Sequence, residues 1–244
     1  AVELAIVIVA HQSARALARG LAGLPPAWRA RCLVVDNAST DGSAAVAERH
    51  GARVLPQPRN LGFARAANLG AAAATASHLC FLNPDCRPSA ALFEAALARL
   101  RTAPDRCLAA DLDEPGAPPV VGRQPGYSAA KLLHDALVSN YRGGRLAAAL
   151  ARRAGFHDRR WHWPHGACFF IERRRFLELG GFDPRFFLYM EDVDLGRRLH
   201  AAGVVVEALG ESVPHDARGG ARVSPTWRLW HLNTARVRYA AVEH

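Results

Sequence analysis

Apolar positions along this chain fall into short unbroken runs, separated by stretches with helical spacing. The run Leu4-Ala-Ile-Val-Ile-Val-Ala10 contains no polar side chain, which suits a strand buried on both faces of a parallel sheet. A helical segment is predicted over 13–23, a second strand over 31–36 ending at Asp36, and a polar turn over 37–42. A helix over 43–50, a short strand over 52–55 and a helix opened by Asn60-Leu-Gly-Phe-Ala64 come next. A fourth strand over 78–82 ends at Asn83-Pro84-Asp85, a helix over 89–101 has Ser89 as its N-cap, and a fifth strand covers 106–110. This alternation predicts βαβ units and an α/β fold whose central sheet is mostly parallel, with helices on both faces. In such sheets ligands bind at the C-terminal ends of the strands.

The stretch 111–164 breaks the pattern, being rich first in Pro and Gly and then in Arg and aromatics, and reads as an insertion or lid. Regular spacing resumes with a strand over 166–172, a strand over 204–208, a loop at Pro214-His215-Asp216 and a basic helix from Pro225 onward. Between them, the run from Gly181 to Leu195 sets four acids into an apolar and aromatic frame. Leu188, Asp192, Leu195, Leu199 and Ala202 follow at steps of four and three, so Asp192 is expected on a core-facing helical stripe. A carboxylate there is costly unless it meets a metal, a cation or a substrate.

Composition narrows the partners. The 244 residues are half hydrophobic, enough for one large domain, and no apolar run approaches the roughly 20 residues of a membrane span. No signal peptide is visible, because the chain opens on a strand, and a cytoplasmic protein is expected. The net charge of +9 suits an anionic partner such as a nucleotide, a phospholipid surface or nucleic acid. Five cysteines with no CxxC spacing read as buried reduced thiols rather than zinc ligands.

Several chemistries are excluded by motif. No GxGxxG follows the first strand, no GxxxxGK[ST] exists, and neither HExxH nor GxSxG occurs. What remains at strand ends is Asp36, Asp85, Glu191, Asp192 and His215. Hard cations such as Mg²⁺ and Mn²⁺ take carboxylates together with substrate phosphates. A carboxylate at 85, an imidazole at 215 and a diphosphate suit such an ion, and a second carboxylate away from it suits a general base.

Taken together, Val34-Val-Asp-Asn-Ala-Ser-Thr-Asp-Gly-Ser43, Asn60-Leu-Gly-Phe-Ala64 with Asn68 and Gly70, Phe81-Leu-Asn-Pro-Asp85, and Gly181-Phe-Asp-Pro-Arg-Phe-Phe187 running into Glu191-Asp-Val-Asp-Leu195 resemble the family-2 glycosyltransferases of GT-A fold, in particular their bacterial rhamnosyltransferase-like branch. The resemblance implies an inverting, metal-dependent transfer of a sugar from a nucleotide diphosphate donor, with dTDP-rhamnose the first choice. The acceptor it implies is a hydroxyl of a glycan or lipid-linked molecule in cell-surface polysaccharide synthesis. On this reading Asp36 bonds the base, Asp85 and His215 hold Mg²⁺ or Mn²⁺, and Asp192 is the catalytic base with Glu191 beside it. Ala10, His11, Asn60, Gly62, Arg65, Asn68, Asn83 and Pro84 line the nucleotide-sugar site, and Trp163, His165 and Gly166 face the acceptor. Asn83 stands where a strict DxD motif has its first acid, and His11-Gln-Ser13 replaces the common Thr-Tyr-Asn. Asp183 reads as a turn residue and Asp194 as an ion-pair partner of Arg197 and Arg198.

The expected organisation is a single domain over 1–244, with a nucleotide-sugar half at 1–110, the insertion at 111–164 and an acceptor half at 165–244. Arg222, Arg228, Arg236 and Arg238 put a basic face on the C-terminal helix, which is expected to lie on an anionic inner membrane surface. Nucleic acid is not an expected partner. The competing readings are a sugar nucleotidyltransferase, which needs a basic glycine-rich loop after the first strand, and a non-catalytic nucleotide-binding protein of the same fold.

Overall fold

The computed structural model describes residues 3–128, 131, 132, 157–216 and 224–243. The N-terminal part runs β1 (Leu4–Ala10), α1 (Ala14–Ala22), α2 (Pro26–Arg29), β2 (Cys32–Asp36), α3 (Ser43–Arg49), β3 (Arg53–Pro56), α4 (Phe63–Ala73), β4 (His78–Leu82), α5 (Ala90–Thr102) and β5 (Arg106–Asp113). It is followed by β6 (Arg123–Tyr127), β7 (His157–Pro164), β8 (Cys168–Glu172), α6 (Arg173–Glu178), α7 (Glu191–Ala201), β9 (Val205–Pro214) and α8 (Pro225–Glu243).

The main sheet has the order β3-β2-β1-β4-β8-β5-β9, and β6 and β7 form a separate antiparallel pair. Neighbours in the main sheet are parallel except where β8 lies between β4 and β5. This matches the mostly parallel expectation and adds one reversal that matters for the site. Because β8 runs against its neighbours, its first residues stand beside the last residues of β4: Cys168 pairs with Leu82, and the Asn83 amide donates to the Ala167 carbonyl at 2.8 Å. The residues just before β8 therefore reach the edge where the parallel strands end.

The unbroken apolar strands pack on both faces. One core joins β1, β2, β4 and β8 to α1 and α5 through Leu17, Leu21, Phe93 and Leu97. The opposite core lies under α4 and α7 and holds four phenylalanines, with Phe81 at 4.9 Å from Phe169, 4.8 Å from Phe176 and 5.2 Å from Phe182, centroid to centroid. All five cysteines are buried and unpaired, as expected; burial pushes the Cys32 thiol up to about 12. Ser89 caps α5 by accepting from the Leu92 amide at 3.2 Å.

Helices α2 and α6 were not expected, nor were strands β6 and β7 inside the 111–164 insertion, and three expected elements have other bounds. Strand β5 continues past Ala110 to Asp113, and β9 past Ala208 to Pro214, because the two pair with each other along this extension. Helix α7 starts only at Glu191, since Tyr189 and Met190 both take left-handed backbone (φ 70° and 67°). The stripe from Leu188 to Ala202 is corrected accordingly. Leu188 precedes the helix, Ala202 is exposed, and the inward face carries Glu191, Asp194, Leu195 and Leu199, with Asp192 beside it and only partly buried.

Candidate active site

The strand ends meet in three groups of side chains. The first surrounds Asn37, a buried residue that the sequence reading placed only in a polar turn. Its amide N–H donates to the Ala10 carbonyl at 2.7 Å, which joins β2 to β1. Its side chain donates to Asn60 Oδ1 at 2.8 Å and accepts from the Leu61 amide at 2.8 Å. The His11 Nδ1–H donates to the Asn37 carbonyl at 2.9 Å. Asp36 is buried beside it, with Oδ1 3.3 Å from the Ser39 amide. Gly62 closes this group: its φ is +80°, and a Cβ there would lie 2.4 Å from the Phe187 carbonyl oxygen, so only glycine fits. Ala10, His11, Asp36, Asn60 and Gly62 are thus brought together.

Arg65 and Asn68 stand apart from them. Asn68 donates to the Phe182 carbonyl at 2.7 Å and accepts from the Phe182 amide at 2.8 Å. Arg65 donates to the Pro184 carbonyl at 3.0 Å. Both clamp α4 to the 181–187 loop, Asn68 with both ends of its amide and Arg65 through Nε–H. Gly181 belongs to the same clamp, because a Cβ there would meet Asn68 Oδ1 at 2.5 Å. Asp183 turns the loop by accepting from the Arg185 amide at 2.9 Å.

The second group is built by a short backbone match between the Asn83–Arg87 turn and the end of β9. Cys86 bridges to His215, the Arg87 amide donates to the Pro214 carbonyl at 2.9 Å, and the Asp216 amide donates to the Asp85 carbonyl at 3.1 Å. This sets His215 Nε2 3.3 Å from Asp85 Oδ1, with both side chains buried. Helix α1 approaches the turn so closely that a Cβ on Gly20 would lie 2.9 Å from the Cys86 carbonyl. Burial works to lower the His215 pKa, but Asp85 and then Glu114 outweigh it and the net shift is upward.

One carboxylate oxygen and one imidazole nitrogen fit Mg²⁺ or Mn²⁺ completed by phosphate oxygens and water. The atoms of Asp85, Cys86 and His215 lie within 4.8 Å of one another. Cys86 does not complete a zinc-like set: its Sγ–H donates to the Ala167 carbonyl at 3.5 Å, and burial, then the nearby Cys168, drive its pKa well above the thiol range.

The third group surrounds Asp192. Its Oδ2 accepts from the Gly166 amide at 3.0 Å and its Oδ1 from the Val193 amide at 2.9 Å. Gly166 lies close to this carboxylate: a Cβ there would sit 3.1 Å from Oδ2, a tight approach. Burial raises the Asp192 pKa above the ordinary aspartate range, while His165 and the two amides pull it back in part. His165 is held by its own amide, which donates to the Gly122 carbonyl at 2.7 Å, and by Nδ1, which accepts from the Ala167 amide at 3.3 Å. Gly122 in turn donates to Asp111 Oδ1 at 2.8 Å. Trp163 stacks on the His165 ring at 6.1 Å. Burial lowers the His165 pKa, and Asp192 opposes that.

Glu191 is buried, and among the described residues its Oε2 has no hydrogen-bond partner. Burial, then the neighbouring Asp192 charge, push its pKa well above that of an ordinary glutamate and favour the neutral acid. Asp194 pairs with Arg198 at 2.7 Å and Arg197 at 3.5 Å, as the spacing predicted.

Among the described residues, non-glycine residues with left-handed backbone are Gln12, Ala38, Tyr189 and Met190. Each follows β1 or β2 or precedes α7, at the rim of these three groups. Such conformations cost on the order of 1–3 kcal/mol apiece and collect at functional sites.

A sequence profile described as Glycosyl transferase family 2 matches residues 5–195. The N-acetylglucosaminyl-diphospho-decaprenol L-rhamnosyltransferase of Mycobacterium tuberculosis (strain CDC 1551 / Oshkosh) is 33% identical over 218 residues, covering 82% of this chain and 71% of that protein. The crystal structure of GalNAc-T7 with UDP, GalNAc and Mn²⁺ superposes with a TM-score of 0.61 at 16% identity, over 94% of this chain and 47% of that one. The glucosyl-3-phosphoglycerate synthase of Mycobacterium tuberculosis, solved with Mn²⁺, UDP and glucosyl-3-phosphoglycerate, gives 0.57 at 17% identity, over 93% of this chain and 75% of that one. The present chain thus spans less than half of GalNAc-T7. At these identities the structural likeness concerns the fold, which is GT-A.

Proposed function

The chain belongs to glycosyl transferase family 2, and on that premise we propose that it is an inverting glycosyltransferase acting on a nucleotide diphosphate sugar. The proposed donor is dTDP-rhamnose and the acceptor a hydroxyl of a lipid-linked glycan. Both choices rest on the likeness to the mycobacterial rhamnosyltransferase, whose name specifies an N-acetylglucosaminyl-diphospho-decaprenol substrate. Bound between Asp85, His215 and the donor diphosphate, Mg²⁺ or Mn²⁺ would neutralise charge on the leaving group.

The observation that carries the reading is the state of Asp192. It is a partly buried carboxylate with a raised pKa, oriented by two backbone amides, at the same sheet edge as the Asp85–His215 pair. Asp192 takes the proton of the acceptor hydroxyl. That oxygen bonds to the anomeric carbon, and the bond from this carbon to the phosphate oxygen breaks, its electron pair leaving with the nucleoside diphosphate. Asp36 and the Asn37 cluster hold the base end of the donor, and Trp163 with His165 faces the acceptor. The same reading lays α8 against the anionic lipid surface that carries such an acceptor.

Asp192→Asn tests the assignment, since it keeps an acceptor oxygen for the amides but removes the base. Turnover should fall about 10²–10⁴-fold, while donor binding measured by calorimetry stays within error. Turnover close to that of the unaltered enzyme would remove Asp192 from the role.

A further inference from the structure

His215 has a carboxylate on each side of its ring, and the metal reading above uses only one. Nε2 lies 3.3 Å from Asp85 Oδ1, and Nδ1 lies 3.2 Å from Glu114 Oε1. The two ring nitrogens point to different sides of an imidazole, so Glu114 cannot share an ion bound at Nε2. A carboxylate offers only acceptors, so each ring nitrogen carries a proton where it faces one; an ion bound at Nε2 would displace the proton on the Asp85 side and leave Nδ1–H donating to Glu114.

We propose that Glu114 is the positioning residue of the metal half of the site: it grips His215 through Nδ1–H and so turns Nε2 toward the ion shared with Asp85. This rests on the metal reading given above. Metal-bound histidines commonly donate their second N–H in this way, which fixes both tautomer and ring orientation. The backbone is arranged for it. Glu114 directly follows β5, and His215 directly follows β9. The last residues of these strands, Asp113 and Pro214, are partners in the sheet, and the His215 amide donates to the Asp113 carbonyl at 2.9 Å. Ser212 locks the same level by donating to Asp113 Oδ2 at 2.6 Å. The two side chains thus leave adjacent parallel strands at one height. An ordinary surface glutamate in a chain so rich in arginine would be expected to pair with one. Among the described residues, the charged partner of Glu114 is His215.

The test is Mn²⁺ affinity of the full chain, read by electron paramagnetic resonance of the free ion, with dTDP and UDP in parallel. Glu114→Ala should weaken Mn²⁺ binding about 10–100-fold, and Glu114→Gln, whose amide oxygen still accepts from Nδ1–H, should restore most of it. Unchanged Mn²⁺ affinity in Glu114→Ala overturns the proposal, even if the melting temperature falls, because the residue would then serve only the fold. Equal weakening in both variants also overturns it. An unaltered chain that binds no Mn²⁺ with either nucleotide overturns the metal reading and this proposal together. A measurement independent of any variant is the nitrogen NMR spectrum of the His215 ring in the Mg²⁺- and nucleotide-bound protein. It should show a protonated Nδ1, and an unprotonated Nδ1 sinks the proposal.

Discussion

Glu191 and Asp192 are adjacent carboxylates in different surroundings, and burial separates them. Asp192 keeps two amide donors, while Glu191 is buried with an oxygen unpartnered among the described residues. The folded-state pKa of Glu191 is raised above its unfolded value. The stability tied to its neutral form is therefore present below the ordinary glutamate range and is lost as pH rises through the folded-state value. Glu191→Gln removes this dependence. Its melting temperature should exceed that of the unaltered chain at pH 8, by about 2–4 °C for each kcal/mol, and the gap should narrow toward pH 5. A gap that does not change with pH would show that the buried acid is not the neutral form. At this scale much of the site was legible: strand-end acids mark Asp36 and Asp85, and motif order marks Asp192. Asn37 and Glu114 were not. The importance of Asn37 lies in bonds to residues 10, 60 and 61, and that of Glu114 in a partner about a hundred positions away. Such pairings leave no local periodicity.

At the scale of elements, unbroken apolar runs announced the strands and their parallel order, but the reversal of β8 had no local signature. A strand buried on both faces has the same composition in either direction. The start of α7 was misplaced for a related reason. Leu188 fits the helical period, yet Tyr189 and Met190 take left-handed backbone and delay the helix. Helix α7 must also sit close to β7, and Gly196 marks the contact. A Cβ there would lie 2.2 Å from the Trp163 Cβ and 3.0 Å from the His162 carbonyl oxygen. Gly196→Ala should therefore destabilise by about 1–3 kcal/mol through overpacking and, on the proposed function, raise KM for the acceptor by displacing Trp163, which stacks on His165. Equilibrium denaturation and steady-state kinetics read the two effects. A stable variant with unchanged KM would mean that the β7–α7 contact yields without cost.

For the whole molecule, a third small core fastens α8 to the rest. Ala235 and Tyr239 are buried against Trp161, Phe186, Met190 and Val193. His231 stacks on Phe187 at 5.0 Å, and the Phe187 carbonyl accepts from the Phe63 amide at the mouth of the nucleotide group. The outer side of α8 carries Trp230 at 61% and Val237 at 70% exposure, two turns apart, with Arg228 and Arg238 exposed nearby. Arg222 lies outside the described residues. No helix among those residues is long and apolar enough to cross a membrane. An exposed tryptophan and valine beside arginines, on a chain of net charge +9, suit the interface of an anionic bilayer. Vesicles with a large anionic lipid fraction should bind the protein in a salt-sensitive manner, and Trp230→Ala should weaken that binding. Equal affinity for neutral and anionic vesicles would dismiss the membrane contact.

The tie from Asp111 through Gly122 to His165 has a consequence for where His165 stands. It pins both ends of the long connection before that connection begins and after it returns. The β6–β7 pair and Gly122, which has no room for a side chain against the Ala110 carbonyl, fix where the chain stands when it reaches His165. The position of His165 is thus set by the described framework on either side of the connection, through Asp111, Gly122 and the β6–β7 pair.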